Sequence, residues 1–236
     1  MIMPVTTNHL TTSGNTSAGT AYSSASISPT GNRLVLAAIA HSASGVQPVP
    51  TISGGGMTTW NQVNTVEING FVRISVFRAL QSSPSSGALS ITFSASQDRC
   101  AWSIVELIGI DTGGSNGSNA VVQSATGAVS GSGTSVTATL GDFSNVGNAT
   151  FGAAVVQSNP ERTISPGSGF TEIAEYNAPA GNFIAIQTEF KNTNDTTVDI
   201  TASGVANHLG IIGLEIAVAA TGGVRIPLRG LMGVGL

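Results

Sequence analysis

Residues 91–110, ITFSASQDRCAWSIVELIGI, have an echo at residues 200–218, ITASGVANHLGIIGLEIAV. Each stretch is an alternating strand, a short polar turn and a longer apolar strand. Ile91 answers Ile200 and Glu106 answers Glu215, both 109 positions apart. A shared offset over two strands signals an internal repeat, and a repeat constrains the architecture before any single residue does. The order continues upstream. Residues 148–157, NATFGAAVVQ, answer 32–41 at an offset of 116; Gly169-Phe170-Thr171 answers Gly56-Met57-Thr58 at 113; residues 183–190, FIAIQTEF, answer 71–78 at 112. Strands that correspond while loops differ in length produce such a drift.

The segments are β in character. Short apolar or alternating runs, broken by Gly, Ser, Asn and Pro, follow one another at the spacing of a sandwich or barrel. Strands are predicted near 5–12, 21–27, 33–42, 50–54, 58–68, 71–80, 88–95 and 100–110. RLVLAAIA at 33–40 is continuous enough to be buried on both faces. VRISVFRAL at 72–80 alternates until Arg78 breaks the phase. Asn69-Gly70 between two such runs predicts a two-residue hairpin, because a type I′ turn needs φ > 0 at both central residues.

The expected fold is therefore all-β: two tandem antiparallel β-sandwiches of jelly-roll type, with one large sandwich built from both halves as the other arrangement. The boundaries read as 1–111 for the first sandwich, 112–119 for a linker, 120–218 for the second and 219–236 for an extended C-terminal arm. A second Gly/Ser stretch, 127–134, reads as a loop. The arm, AATGGVRIPLRGLMGVGL, has two arginines and no acid, and Pro227 disfavours a helix interior or central strand. Its expected role is assembly, with Arg225, Ile226, Leu228, Arg229, Leu231 and Leu236 as contact residues.

Composition narrows the function. Hydrophobic residues make up 41% of the 236 and mean hydropathy is +0.26, so a core can form and disorder is not expected. Charged residues are only 8%, against about 25% in ordinary soluble domains. Lys191 is the single lysine, and net charge is −4 with no basic run, which disfavours nucleic acid. No apolar run has the length of a membrane span. Cys100 is the only cysteine, which excludes an intrachain disulfide. The start, MIMPVTTNHL, lacks the basic and apolar regions of a secretory signal. A surface of Ser, Thr, Asn and Gly without an export signal suits a virion protein made in a host cytoplasm.

Chemistry-bearing residues form no motif. His9, His41 and His208 are far apart, and Cys100 reads as a buried apolar residue. Gly54-Gly55-Gly56 reads as a turn, and no GxSxG elbow occurs. Glu106 and Glu215 lie inside apolar strands and must be paired or hydrogen-bonded there. Retaining glycosidases need two carboxylates about 5–5.5 Å apart, and these two are expected in different units, so a structural role is expected. Asp98, Asp111, Asp142, Asp195 and Asp199 are scattered at turns without a calcium motif. Trp102 reads as core; Trp60 is the candidate for stacking on a glycan. No catalytic residue, metal ligand or cofactor is expected.

NRLVLAAIA, GGGMTTW, VRISVFRAL, LSITFS and AWSIVELIGID together resemble the β-sandwich modules of tailed-bacteriophage structural proteins and related bacterial surface proteins. FTEIAEY and FIAIQTEF resemble the module that often follows. The resemblance implies a jelly-roll-like module used for decoration, spikes or tail appendages, and carries over no functional residues. The expected function is thus a non-enzymatic structural component of a phage head or tail, assembling as a homo-oligomer with copies of itself and other virion proteins. A carbohydrate-binding or adhesion module, with a host-surface glycan as partner, and a glycan-degrading enzyme are the two alternatives.

Overall fold

A computed structural model describes residues 4–178 and 183–220. It is all-β with antiparallel sheets. The strands are β1 Thr6–Asn15, β2 Gly19–Ile27, β3 Leu34–Ser42, β4 Thr51–Gly54, β5 Asn61–Ile68, β6 Val72–Ala79, β7 Gly87–Gln97 and β8 Arg99–Ile108. After a short 3-10 helix, Ser115–Ala120, come β9 Val121–Thr139, β10 Ala149–Ser158, β11 Ile164–Pro166, β12 Thr171–Ala178, β13 Phe183–Lys191 and β14 Thr197–Ile216.

The first half forms an inner sheet, β1-β8-β3-β6-β5, and a small outer sheet, β2-β7-β4. The second half forms one sheet ordered β11-β14-β10-β13-β12, with β9 also paired to β14. Its long strands serve two layers. Residues 121–130 of β9 pair with 208–216 of β14 beside β10, whereas residues 135–139 pair with 197–201, next to β11. Divided this way, the inner order is β9-β14-β10-β13-β12 and the outer order β9-β14-β11. These are the orders of the first half, strand for strand.

Register refines the correspondence. Glu106 lies opposite Val35, and Glu215 opposite Thr150, so β10 answers β3 at an offset of 115 (150 − 35), not the 116 read from the sequence. That one-residue difference matters because a single step moves every side chain to the other face. The offset of 112 between β6 and β13 holds: Val72 lies opposite Ser42, and Ile184 opposite Gln157. Both inner edge hairpins carry a register shift at equivalent places, between Gln62 and Asn64 and between Glu172 and Ala174. Asn69 and Gly70 have φ of 51° and 71°, as the hairpin reading requires. Arg78, where the alternation breaks phase, sits in unbroken register with Leu36.

The continuous apolar runs are explained by two buried faces. Leu34, Leu36, Ala38 and Ala40 of β3 enter the largest core with Phe151, Ala153 and Val155 of β10, Ile184 and Ile186 of β13, and Ile212 and Leu214 of β14. Val35, Ala37 and Ile39 point the other way and pack with Tyr22, Leu89, Ile91, Phe93 and Trp102 beneath the outer sheet. The second half has a matching outer core around Ala154, Val156, Val198, Ile200 and Ile211. The two inner sheets therefore face each other, and the main core belongs to both halves. A buried Ser103–Thr188 hydroxyl contact of 2.9 Å crosses it. At one end the backbones join: Ile110 bridges Val218, and Ala219 N–H donates to Gly109 C=O at 2.8 Å.

Two further expectations are corrected. The segment 112–119 is no free linker. Asn116 Oδ1 accepts Leu80 N–H at 2.8 Å, and its Nδ2 donates to Asn61 Oδ1 at 2.7 Å, which docks the helical turn on β5 and β6. Residues 127–134 are not a loop but lie within β9, where paired partners on β14 outweigh the turn preference of Gly and Ser. The expected assembly contacts Arg225, Ile226, Leu228, Arg229, Leu231 and Leu236 lie outside the described residues.

Gly127 marks the closest approach within β9: a Cβ there would run into the Thr137 backbone carbonyl, which cannot swing away. Gly127→Ala is expected to destabilise the fold by about 1–3 kcal/mol through overpacking. Gly87→Ala, whose new Cβ meets its nearest atom at 3.5 Å, is expected to change stability by less than about 0.5 kcal/mol. Denaturant unfolding of the two variants checks both values.

Candidate functional site

Glu106 and Glu215 are fully buried on the outward faces of β8 and β14. Each is taken up by its own set of donors. Glu106 Oε2 accepts Arg33 Nη1 at 2.8 Å and Asn8 Nδ2 at 3.2 Å, while Oε1 accepts Thr30 N–H. Glu215 Oε1 accepts Asn148 Nδ2 at 2.5 Å, Ser144 Oγ at 2.9 Å and Ser144 N–H at 3.0 Å; Oε2 accepts Gln123 Nε2 at 2.6 Å. Asn8 and Gln123 are the cross-strand neighbours of the two glutamates. Thr30 and Ser144 lie in the connections that return the chain from an outer layer to an inner sheet. Each glutamate therefore latches such a connection to its sheet. The repeat is not chemically identical, because Asn148 stands where the first half has Arg33. Burial pushes the Glu215 carboxyl up, but the bonds from Asn148, Gln123 and Ser144 outweigh it and hold the group below the usual range.

Glu189 of β13 is the buried acid that the sequence reading passed over. It is fully buried on the outward face; Oε2 accepts Gly167 N–H at 3.0 Å and Oε1 has no partner. Burial raises its carboxyl to about 8, with a further push from Asp199 and a counteracting pull from the Gly167 N–H. At neutral pH the protonated form prevails. Its position answers Phe77 of the first half at the same offset of 112.

The histidines are dispersed. His9 Nε2 meets Thr12 Oγ1 at 2.7 Å at the surface. His41 is buried against Phe93, with Nδ1 2.7 Å from Gln97 Oε1. Burial, aided by the Arg73 charge and opposed by Gln97, lowers it to about 4. Cys100 is fully buried and burial pushes its thiol up, away from the reactive thiolate form. Asp142 and Asp195 do share a cleft, with Asn194, but Lys191 Nζ lies 2.6 Å from Asp195. Among the described residues no three His, Cys, Asp or Glu side chains are grouped to hold a metal. Gly54, Gly55 and Gly56 form a turn at φ of 75°, 66° and 78°. Trp60 is half-buried against the first outer core, and its indole N–H donates to Gly54 C=O at 3.0 Å.

One cleft draws on both halves. Ser42 and Arg99 are partners across β3 and β8, and Gln157 and His208 are the equivalent partners across β10 and β14. These pairs meet at the seam between the inner sheets. Ser42, Arg99, Asp98, Phe71 and Gln157 line a cavity of about 110 Å³ there. Phe71, just after the Asn69-Gly70 turn, is 46% exposed yet fixed, because its ring stacks on His208 at 5.0 Å and 13°. Burial lowers the His208 imidazole below its usual range, so a neutral ring faces Phe71 at neutral pH. The sequence used Phe71 only to align the repeat. An aromatic residue directly after a tight turn was the available signal.

Glu215 and Glu189 are shifted in opposite directions, so their contributions to stability depend on pH with opposite sign. Removing Glu106 with Arg33 left in place (Glu106→Ala) is expected to cost about 3 kcal/mol in denaturant unfolding. Glu215 is held low, so its contribution is present above the ordinary carboxylate range and is lost as pH falls through its folded value. Glu189 is held high, so stability declines as pH rises from the ordinary 4.5 towards about 8. Melting profiles of Glu189→Gln against the parent protein should show this decline reduced; the same decline in both would refute the assignment. No known protein family, curated protein or solved structure matches this chain.

Proposed function

We propose that the protein is a non-enzymatic structural component of a virus particle, a head decoration, spike or tail protein, that works by assembling with copies of itself and with other particle proteins. The observation that carries this reading is the paired latch. The two carboxylates best placed to do chemistry, Glu106 and Glu215, are fully buried at equivalent positions and hold loops to sheets. A fold that uses its buried acids as fasteners suits a rigid building unit. The neutral surface of Ser, Thr, Asn and Gly, with 8% charged residues, supports the same reading, since contacts between copies meet little charge repulsion. The arm residues named from the sequence, Arg225 to Leu236, are proposed as contacts between subunits.

The purified protein is expected to form a discrete homo-oligomer by light scattering and electron microscopy, and to turn over no bacterial surface polysaccharide. Deletion of residues 221–236 is expected to leave melting unchanged and to weaken assembly. A monomeric protein that attaches to no particle, or polysaccharide turnover abolished by Glu106→Gln or Glu215→Gln, would overturn the proposal.

A further inference from the structure

The seam cleft combines one aromatic ring with groups that donate and accept hydrogen bonds. Phe71 exposes nearly half of its surface at the mouth, and His208 behind it prevents the ring from folding away. Asp98 offers acceptors and Arg99 offers donors; Gln157, only 7% exposed, offers both. Arg99 Nε is shielded from solvent and has no partner within the described chain, a costly state for a charged donor unless something else bonds it. The opposite charges of Asp98 and Arg99 cancel, so the cleft does not favour a phosphate or another strong anion.

This set of groups matches a sugar ring. Vicinal hydroxyls both donate and accept, as an acid–guanidinium–amide trio requires, and the C–H face of a pyranose carries the partial positive charge that the π face of an aromatic ring attracts. Size limits the ligand. The cavity of about 110 Å³ is well below the roughly 300–1,000 Å³ of ordinary small-molecule pockets, so it seats part of one ring against Phe71 at its mouth and leaves the rest of a glycan outside.

We propose that the seam cleft binds one neutral hexose unit of a glycan, with Phe71 stacked on the sugar's C–H face and Asp98, Arg99 and Gln157 bonding its hydroxyls. A single small site of this kind binds weakly, with a dissociation constant on the order of 1 mM. Several copies on one assembly would add avidity without any new contact. The site needs both halves of the chain, because Arg99 comes from β8 and Gln157 from β10.

The test is a nuclear magnetic resonance titration of the isotope-labelled full chain with glucose, galactose, mannose and N-acetylglucosamine in turn, and with N-acetylneuraminic acid as the charged arm. At least one neutral sugar is expected to give saturable shifts centred on Phe71, Asp98, Arg99 and Gln157. Phe71→Ala and Arg99→Gln should each weaken that binding at least tenfold, while Trp60→Phe should leave it unchanged. Should Phe71→Ala fail to fold, Arg99→Gln and the shift map of the parent protein decide. The proposal is overturned if no neutral sugar binds saturably, if the acid alone binds, if the shifts centre on Trp60 or elsewhere, or if binding survives in Arg99→Gln. The outcome is independent of the assembly reading: a protein that fails to assemble can still bind sugar, and an assembling protein can fail to.

Discussion

The packing of one inner sheet against the other is the contact on which the rest of the structure depends. Facing sheets stand about 10 Å apart and interlock the side chains of alternate positions. Here Leu34, Leu36 and Val105 from one half meet Phe151, Ile184 and Ile212 from the other. Neither half closes this core alone. The bridge between Ile110 and Val218 extends the union to the backbone. The sheet edges are brought together by the same packing: Asn64 of β5 donates to Ser124 of β9 at 2.9 Å, so two strands that would be open edges cover each other. The seam cleft is a by-product of this arrangement, since the ends of β3 and β10 are brought together where the facing sheets stop.

The outer layers show how two copies of one topology diverge. Glu106 and Glu215 keep their positions and their loop-fastening role, yet one is paired with the charge of Arg33 and the other is bonded by uncharged donors alone. A buried carboxylate tolerates either solution provided its lone pairs are bonded. At another equivalent pair the chemistry changes altogether. Phe77 lies opposite Ala37 in the first half, while Glu189 lies opposite Gly152 in the second. A Cβ on Gly152 would stand 2.6 Å from Glu189 Oε1, and one on Gly213 would stand 2.8 Å from Val198. Missing side chains at two glycines let the second outer layer settle close around an acid that remains protonated.

Much of the architecture was legible in the chain. The type I′ turn at Asn69-Gly70, the doubly buried β3 and the glutamate pair 109 apart all came from period and spacing, which are local properties. Where local signals competed with pairing, they failed. Gly127 to Thr134 looks like a loop because Gly and Ser favour turns, but β14 offers partners along its length and β9 continues. Residues 112–119 look like a linker until Asn116 finds Leu80 and Asn61. The offset of β10 was misread by one residue, because alternation in a strand buried on both faces carries no phase that distinguishes them.

The all-β class, the positions of most strands and the presence of a repeat are written in the chain's local pattern, because each follows from hydrophobic period and turn chemistry over a few residues. That the halves share one core, that Phe71 lies against His208, and that Arg99 and Gln157 border the same cleft emerge only when the chain is folded. Those residues are separated by dozens of positions, from 71 to 208, and no local pattern links them. What joins them is the burial of two apolar sheet faces against each other, a gain that depends on how the whole chain closes and on no single stretch within it.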